Sequence, residues 1–274
     1  MSDVPVLPIG QAVPLCELGY IVNPCHTERV VSPWRQAGNL LSALCQTSLG
    51  ASLHSLYLRG SVPRGTAVEY RSDLDAVCVT RSPPPILPPS FQAAVQARVL
   101  QAHPFCTGLD LRIVPHDKLL NPNRSAALQF FMKTQSLCIA GEDITANWTS
   151  FTLRQAQFTL QGLTTSLAGT RVSLASEPGL GADERQRLCR WITKKIVRAG
   201  FELVAERERA YTRDLYRCWT GFARHYPEMA GPMREVLTLA INPRSDPLQI
   251  ETALKVGDWL RAQSQPANGV PDQL

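Results

Sequence analysis

The chain has 274 residues, 44% of them hydrophobic, and a net charge of +5, which is enough apolar material for a substantial core in one large or, as expected here, two modest domains. No apolar run approaches the ~20 residues that span a bilayer, and the opening MSDVPVLPIGQAVPLC lacks a basic segment followed by an apolar one. A soluble cytoplasmic protein without a membrane partner is therefore expected. The eight cysteines are dispersed, with no CxxC pair and no Cys-His spacing suited to zinc, and read as reduced, mostly buried thiols.

Residues 1–30 read as an N-terminal extension. After "VVSPW" a helix is predicted, with Ser32 as cap, Pro33 in the first turn, and Trp34, Leu40, Leu41, Leu44 and Cys45 at helical spacing. Strands are predicted at Leu53 to Arg59, Leu74 to Thr80 and Leu109 to Val114. The Pro-rich "RSPPPILPPS" excludes regular structure, and "FQAAVQARVLQAH" reads as a helix. "AALQFFMKTQSLCIAGEDI" reads as a helix closing in a short strand or turn at Gly141.

Beyond that point helical patterns take over. They are predicted at Leu153 to Leu167, Asp183 to Arg198, Phe201 to His225, Gly231 to Ala240 and Pro247 to Ala262. In the third of these, Tyr211, Leu215, Cys218, Trp219 and Phe222 form a core-facing stripe. The expected organisation is a catalytic domain over 31–145, a helical domain over 146–262 and a disordered tail from 263 to 274.

The chemistry concentrates in "LYLRGSVPRGTAVEYRSDLDAVCVT". Side chains alternate along a strand, so Asp73 and Asp75 point the same way while Leu74 turns into the core. Two adjacent carboxylates repel unless a cation neutralises them, and hard oxygen donors at this spacing suit Mg²⁺. Asp110 is a lone acid in the apolar alternation of the next strand. If the two strands pair, three carboxylates converge and could hold two metal ions about 3.5–4 Å apart, an arrangement suited to in-line displacement of pyrophosphate. In "GSVPRG", Gly60 lets the backbone approach an oxygen, Ser61 and nearby N–H groups can donate to phosphate, Arg64 adds charge and Gly65 frees the turn. Ser72 is placed to orient Asp73 or to cap the strand entry. The plain alternative is a hairpin with solvated polar residues.

Taken together, G-S-x-x-R-G, seven residues, D-x-D, and a lone strand aspartate 35 residues later resemble the signature of the polymerase-beta-like nucleotidyltransferase superfamily. The motifs cover Leu53 to Val114, under a quarter of the chain. The resemblance implies an α+β fold: a small mixed sheet with flanking helices, followed by an all-helical C-terminal domain. It implies Asp73 and Asp75 as shared ligands of two Mg²⁺ ions, with Mn²⁺ as an alternative, and Asp110 as the third carboxylate, which in this superfamily often activates the acceptor hydroxyl. Gly60 and Ser61 match the phosphate-holding pair, and an NTP is the implied co-substrate.

In size and architecture the chain is most similar to the antibiotic nucleotidyltransferases, which favours a small hydroxyl acceptor such as an aminoglycoside. It lacks their acidic stretch after the third strand, for which Glu142 and Asp143 are weak stand-ins. RNA or protein acceptors, as in toxin or defence enzymes, and a non-catalytic nucleotide-sensing module are the alternatives. The acceptor, the preferred base and the oligomeric state leave no motif.

Charge is distributed unevenly, since Arg185 to Arg234 holds 12 Lys/Arg against 5 Asp/Glu. A localised basic face suits a nucleotide or nucleic acid, and a solvated helix face is the other reading. Lys194, Lys195 and Arg198 lie near one face of a predicted helix and are candidates to reach the triphosphate. Arg209, Tyr211 and Arg213 could flank a base, although Tyr211 fits the core better, as do Tyr216 and Trp219. His116 alone among the histidines lies near the inferred site, and Asp117 is a less suitable third acid than Asp110.

Overall fold

A computed structural model describes residues 3–81, 86–176 and 179–264, the side chains of 122–124 excepted. The fold is α+β, with a four-stranded mixed sheet and a region built of helices. The chain divides into two compact units, Ile21–Phe151, and Met1–Tyr20 together with Thr152–Leu274. The disordered tail expected from residue 263 falls, from 265 on, outside the described residues, as does 82–85 of the Pro-rich loop; Gln263 and Ser264 are helical.

The sheet unit begins with α1 (Trp34–Leu49), which buries Trp34, Ala37, Gly38, Leu41, Cys45 and Leu49 at three- and four-residue steps. Ser32 does not cap it as expected: no side chain caps this helix, and the Ser32 hydroxyl instead accepts from Nε2 of Gln36 at 3.0 Å. Then come β1 (Leu53–Arg59), β2 (Leu74–Thr80), α2 (Phe91–Ala102), β3 (Leu109–Pro115), α3 (His116–Leu119), α4 (Pro122–Gln135) and β4 (Ser136–Gly141). The strand order is β3-β2-β1-β4, with β1 antiparallel to both neighbours and β2 parallel to β3.

Period-two alternation sorts the side chains into two cores. Leu56, Leu58, Leu74, Ala76, Cys78, Leu109 and Leu111 join residues of α1 and α2 on one face. Tyr57, Val77, Val79 and Val114 join Leu119, Leu128 and Met132 on the other. The central strands β1 and β2 are therefore buried on both sides along most of their length, β1 taking His54 and Ser55 into the interior, whereas edge strand β3 alternates buried with exposed positions over its first half.

The helical unit contains α5 (Phe158–Gln161), α6 (Leu163–Ala175), α7 (Ala182–Glu208), α8 (Leu215–His225), α9 (Ala230–Ile241) and α10 (Pro247–Ser264). Its core gathers Ile192, Ile196, Phe222, Met233, Leu237 and Leu254, with α7 packed against each of the others. Two predicted helices, 183–198 and 201–225, are redrawn here. One helix of 27 residues runs through Gly200 and ends where Arg209 turns left-handed at φ 50°. Gly200 does not break it, because the missing side chain lets Met233 and Phe222 close in; a Cβ there would stand 2.8 Å from Met233 Cε. Tyr211 is buried as expected, but it belongs to no helix: it bridges Val13 in extended backbone.

Candidate active site

The parallel register of β2 and β3 sets Asp75 directly opposite Asp110. Direct partners share a face, and both fall on the side of Tyr57, Val77 and Val79. Asp73, two residues before Asp75, immediately precedes the strand. Its segment is laced to the entry of β3 by Thr107 N–H to Ser72 C=O at 3.0 Å and Leu74 N–H to Gly108 C=O at 2.9 Å. A Cβ on Gly108 would stand 3.9 Å from that of Asp73. Asp73 and Asp110 are exposed and Asp75 is half-buried. Both Asp73 and Asp75 act on one buried thiol: burial pushes Cys106 up, and the two carboxylates add to the shift.

The G-S loop is a run of turns between β1 and Ala67. Gly60 and Gly65 adopt φ of 75° and 72°, the left-handed region that favours glycine. A side chain on Gly60 would collide with Oδ2 of Asp75, and one on Gly65 would press on Arg29. The loop is held by Thr66 N–H to Ser61 C=O at 3.0 Å and by His26 N–H to Pro63 C=O at 3.0 Å. Arg64 folds back, its Nε donating to the Gly60 carbonyl at 3.0 Å. Ser61 is half-buried, and Ser72 uses its hydroxyl to accept from Val68 N–H at 2.9 Å, which fixes the turn before Asp73.

The remaining predicted cations belong to α7. Lys195 donates to the Ser166 hydroxyl at 2.9 Å and lies over the Trp191 ring; burial, then the Arg213 charge, lowers its pKa. Arg198 donates to the Arg213 carbonyl at 3.2 Å, and burial, then Arg213, lowers it to about 10. Lys194 points elsewhere, lining a groove with Arg187, Arg190 and Trp191. The three cations thus serve different surroundings.

His116 and Asp117 follow the far end of β3, six and seven residues beyond Asp110, and the five steps from Asp110 to the strand's last residue alone span roughly 17 Å. His116 stacks on His54 with centroids 4.6 Å apart. Asp143 is occupied: its Oδ1 accepts from Tyr57 O–H at 3.0 Å and from Thr145 N–H and O–H at 2.9 and 2.8 Å. Tyr216 and Trp219 flank the Arg234 guanidinium, 5.9 and 4.6 Å from their ring centroids.

Two residues on the acidic face escaped the motif reading. Arg59 is the β1 register partner of Asp75, and its guanidinium lies 5.7 Å from the centroid of Phe131. Arg112 follows Asp110 by two and is exposed on the same face. Only pairing register reveals them; their signal in sequence is a basic residue ending β1 and another two after the third acid.

The donor set is all oxygen: Asp75 and Asp110 on one face, Asp73 just before the strand, and Gly60 backbone against Asp75. It fits a hard divalent cation. Among the described residues no three His, Cys, Asp or Glu side chains stand close enough to cage an ion unaided.

No protein-family model and no curated protein matches the sequence. Among solved structures, the chain is similar to a spectinomycin adenyltransferase from Enterococcus faecialis, crystallised with ATP and spectinomycin, at 11% identity and a TM-score of 0.51. The likeness covers 84% of this chain and 98% of that one, and it is a likeness of fold.

Proposed function

We propose that the protein is a metal-dependent nucleotidyltransferase that moves NMP from an NTP to an acceptor hydroxyl. The observation that carries this reading is the register pairing of Asp75 with Asp110, with Asp73 two residues before Asp75 and a left-handed Gly60 against the Asp75 carboxylate. Asp73, Asp75 and Asp110 would hold Mg²⁺ or Mn²⁺, which when bound neutralises the carboxylates and the charge on the phosphates.

The residues divide the remaining work. Gly60 and Ser61 hold a phosphate through backbone N–H and hydroxyl donors, with Arg64 stiffening the loop from within. Asp110 accepts the proton of the acceptor hydroxyl as its oxygen bonds to the α-phosphorus. The bond from that phosphorus to the bridging oxygen breaks, and the electron pair leaves with pyrophosphate. Ser72 positions Asp73 through the turn it closes, whereas Lys194, Lys195 and Arg198 face different surroundings on α7 and take no common role at the triphosphate. Of the two weak stand-ins for an acidic contact to a cationic drug, Asp143 has its Oδ1 already engaged by Tyr57 and Thr145.

A small hydroxyl acceptor is the reading favoured by the similar protein, which was solved with ATP and spectinomycin. The basic surface of α7 favours RNA instead. The test is transfer from α-phosphate-labelled NTPs, each of the four in turn with Mg²⁺ or Mn²⁺, to aminoglycosides, pooled RNA or cell protein. Label in one pool that Asp73→Asn/Asp75→Asn abolishes supports the reading and names the acceptor class. The absence of both NTP binding and transfer overturns it.

A further inference from the structure

On α7, Arg187, Arg190 and Lys194 follow one another at steps of three and four, so they share one helix face. Trp191 lies on the edge of that stripe and is 45% exposed, an unusual position for an indole on a soluble surface. Together with Gln186 and Pro243 these residues line a groove of about 450 Å³, in which Asp183, in the first turn of the helix, is the one acid.

Arg187 and Arg190 are both exposed, and neither side chain makes a hydrogen bond or an ion pair among the described residues. These two arginines therefore carry charge that no ion pair in α7 offsets. Elsewhere the same unit does compensate: Arg171 spans Glu251 and Asp258, Arg224 pairs with Glu208, and Arg244 pairs with Asp3. Trp191 is also held in place, with the Lys195 ammonium 4.2 Å from its ring centroid and Lys195 itself bonded to Ser166. A positioned indole loses little freedom when a flat partner stacks on it.

Cations at one-turn intervals beside an orientated aromatic ring are the elements of a surface for single-stranded nucleic acid: phosphates meet the charges and a base stacks on the ring. From Arg187 to Lys194 the helix rises about 10 Å, enough for the charges to meet successive phosphates of one strand. We propose that this groove of α7 binds single-stranded nucleic acid, with a base on Trp191 and the flanking phosphates on Arg187, Arg190 and Lys194. The inference does not rest on nucleotidyl transfer, since it uses neither the aspartates nor the G-S loop.

The test is fluorescence anisotropy of 5′-labelled 12-nucleotide RNA and DNA strands, and of the matching duplex, with the full chain between 50 and 200 mM salt. Single strands should bind in preference to duplex, and the RNA and DNA arms identify which strand the groove takes. Trp191→Ala should weaken binding about tenfold or more, while Trp191→Phe retains most of it. Arg187→Gln/Arg190→Gln should weaken binding and lower the log–log salt slope by about 1.4, at roughly 0.7 per phosphate contact. The same double variant should bind NTP as the parent does, so the groove and the nucleotidyl-transfer reading can fail separately. Circular dichroism confirms that each variant is folded. Affinity unchanged in both Trp191→Ala and the arginine double variant, preference for duplex, or capture by phosphatidylserine vesicles without oligonucleotide binding would each overturn the proposal.

Discussion

The carboxylate of Asp75 occupies the space that a side chain on Gly60 would need. Gly60 also adopts φ 75°, so both space and backbone conformation demand glycine there. Gly60→Ala is expected to cost about 1–2 kcal/mol for the left-handed backbone alone and to push Asp75 from its position. Denaturant unfolding reads the stability, and labelled-nucleotide transfer, expected to fall at least tenfold, reads the displaced carboxylate. Transfer at the parent rate would dissociate the G-S loop from the aspartates.

Asp110 is exposed on an edge strand, so Asp110→Asn should leave stability within about 0.5 kcal/mol of the parent. As the acceptor of the hydroxyl proton, its loss should lower the transfer rate by about a hundredfold or more. Nucleotide affinity measured alongside should change far less than the rate. A proportionate loss of both would assign Asp110 to binding alone.

Glu202 gives the helical unit a pH dependence. Burial, opposed by Thr159, Leu160 N–H at 2.8 Å and the Arg213 charge, raises its carboxyl from 4.5 to about 7. Between those values the folded chain keeps a proton that the unfolded chain has lost, so stability falls as pH rises. The loss is roughly 3 kcal/mol by pH 7 and above. Glu202→Gln, which keeps an acceptor for Leu160, should flatten unfolding free energy across that window; an unchanged slope would assign the dependence to another group.

Two glycines in helices make a matched pair. A Cβ on Gly221 would stand 2.7 Å from the Phe201 ring, whereas one on Gly231 meets nothing within 4 Å. Gly221→Ala is expected to destabilise by about 1–3 kcal/mol through overpacking. Gly231→Ala should be neutral or stabilising by up to about 1 kcal/mol. Thermal melts of the two variants side by side settle the contrast.

Much of the sheet unit was legible because its cues are local. Leu53 to Arg59 and Leu74 to Thr80 are apolar runs between turn residues, and they occur where the pattern puts them. The helical unit obeys longer-range forces. Gly200 looks like a break in sequence, yet it sits mid-helix because Phe222 and Met233 pack onto it. Tyr211 fits a helical stripe by spacing, but its backbone pairs with Val13, which no window around residue 211 contains. Within the candidate site, Asp73, Asp75 and Asp110 declared themselves as acids in apolar alternation, whereas Arg59 emerged only once β1 and β2 were in register. The tethering of Lys195 to Ser166 and of Arg198 to the Arg213 carbonyl likewise depends on packing that charge counts do not encode.

The first twenty residues belong with helices that are read from the message much later. Val4 N–H bonds Asn242 at 2.8 Å, Gln11 N–H bonds Asp214 at 2.9 Å, and Val13 pairs with Tyr211. A nascent chain leaving the ribosome therefore releases residues 4–13 long before their partners exist. The sheet unit, contiguous from Ile21 to Phe151, is complete by then and can form first. Residues 4–13 can return to their partners only after residue 242 has been made. Chains stalled before residue 211 would carry that segment unclaimed, open to proteolysis until translation resumes.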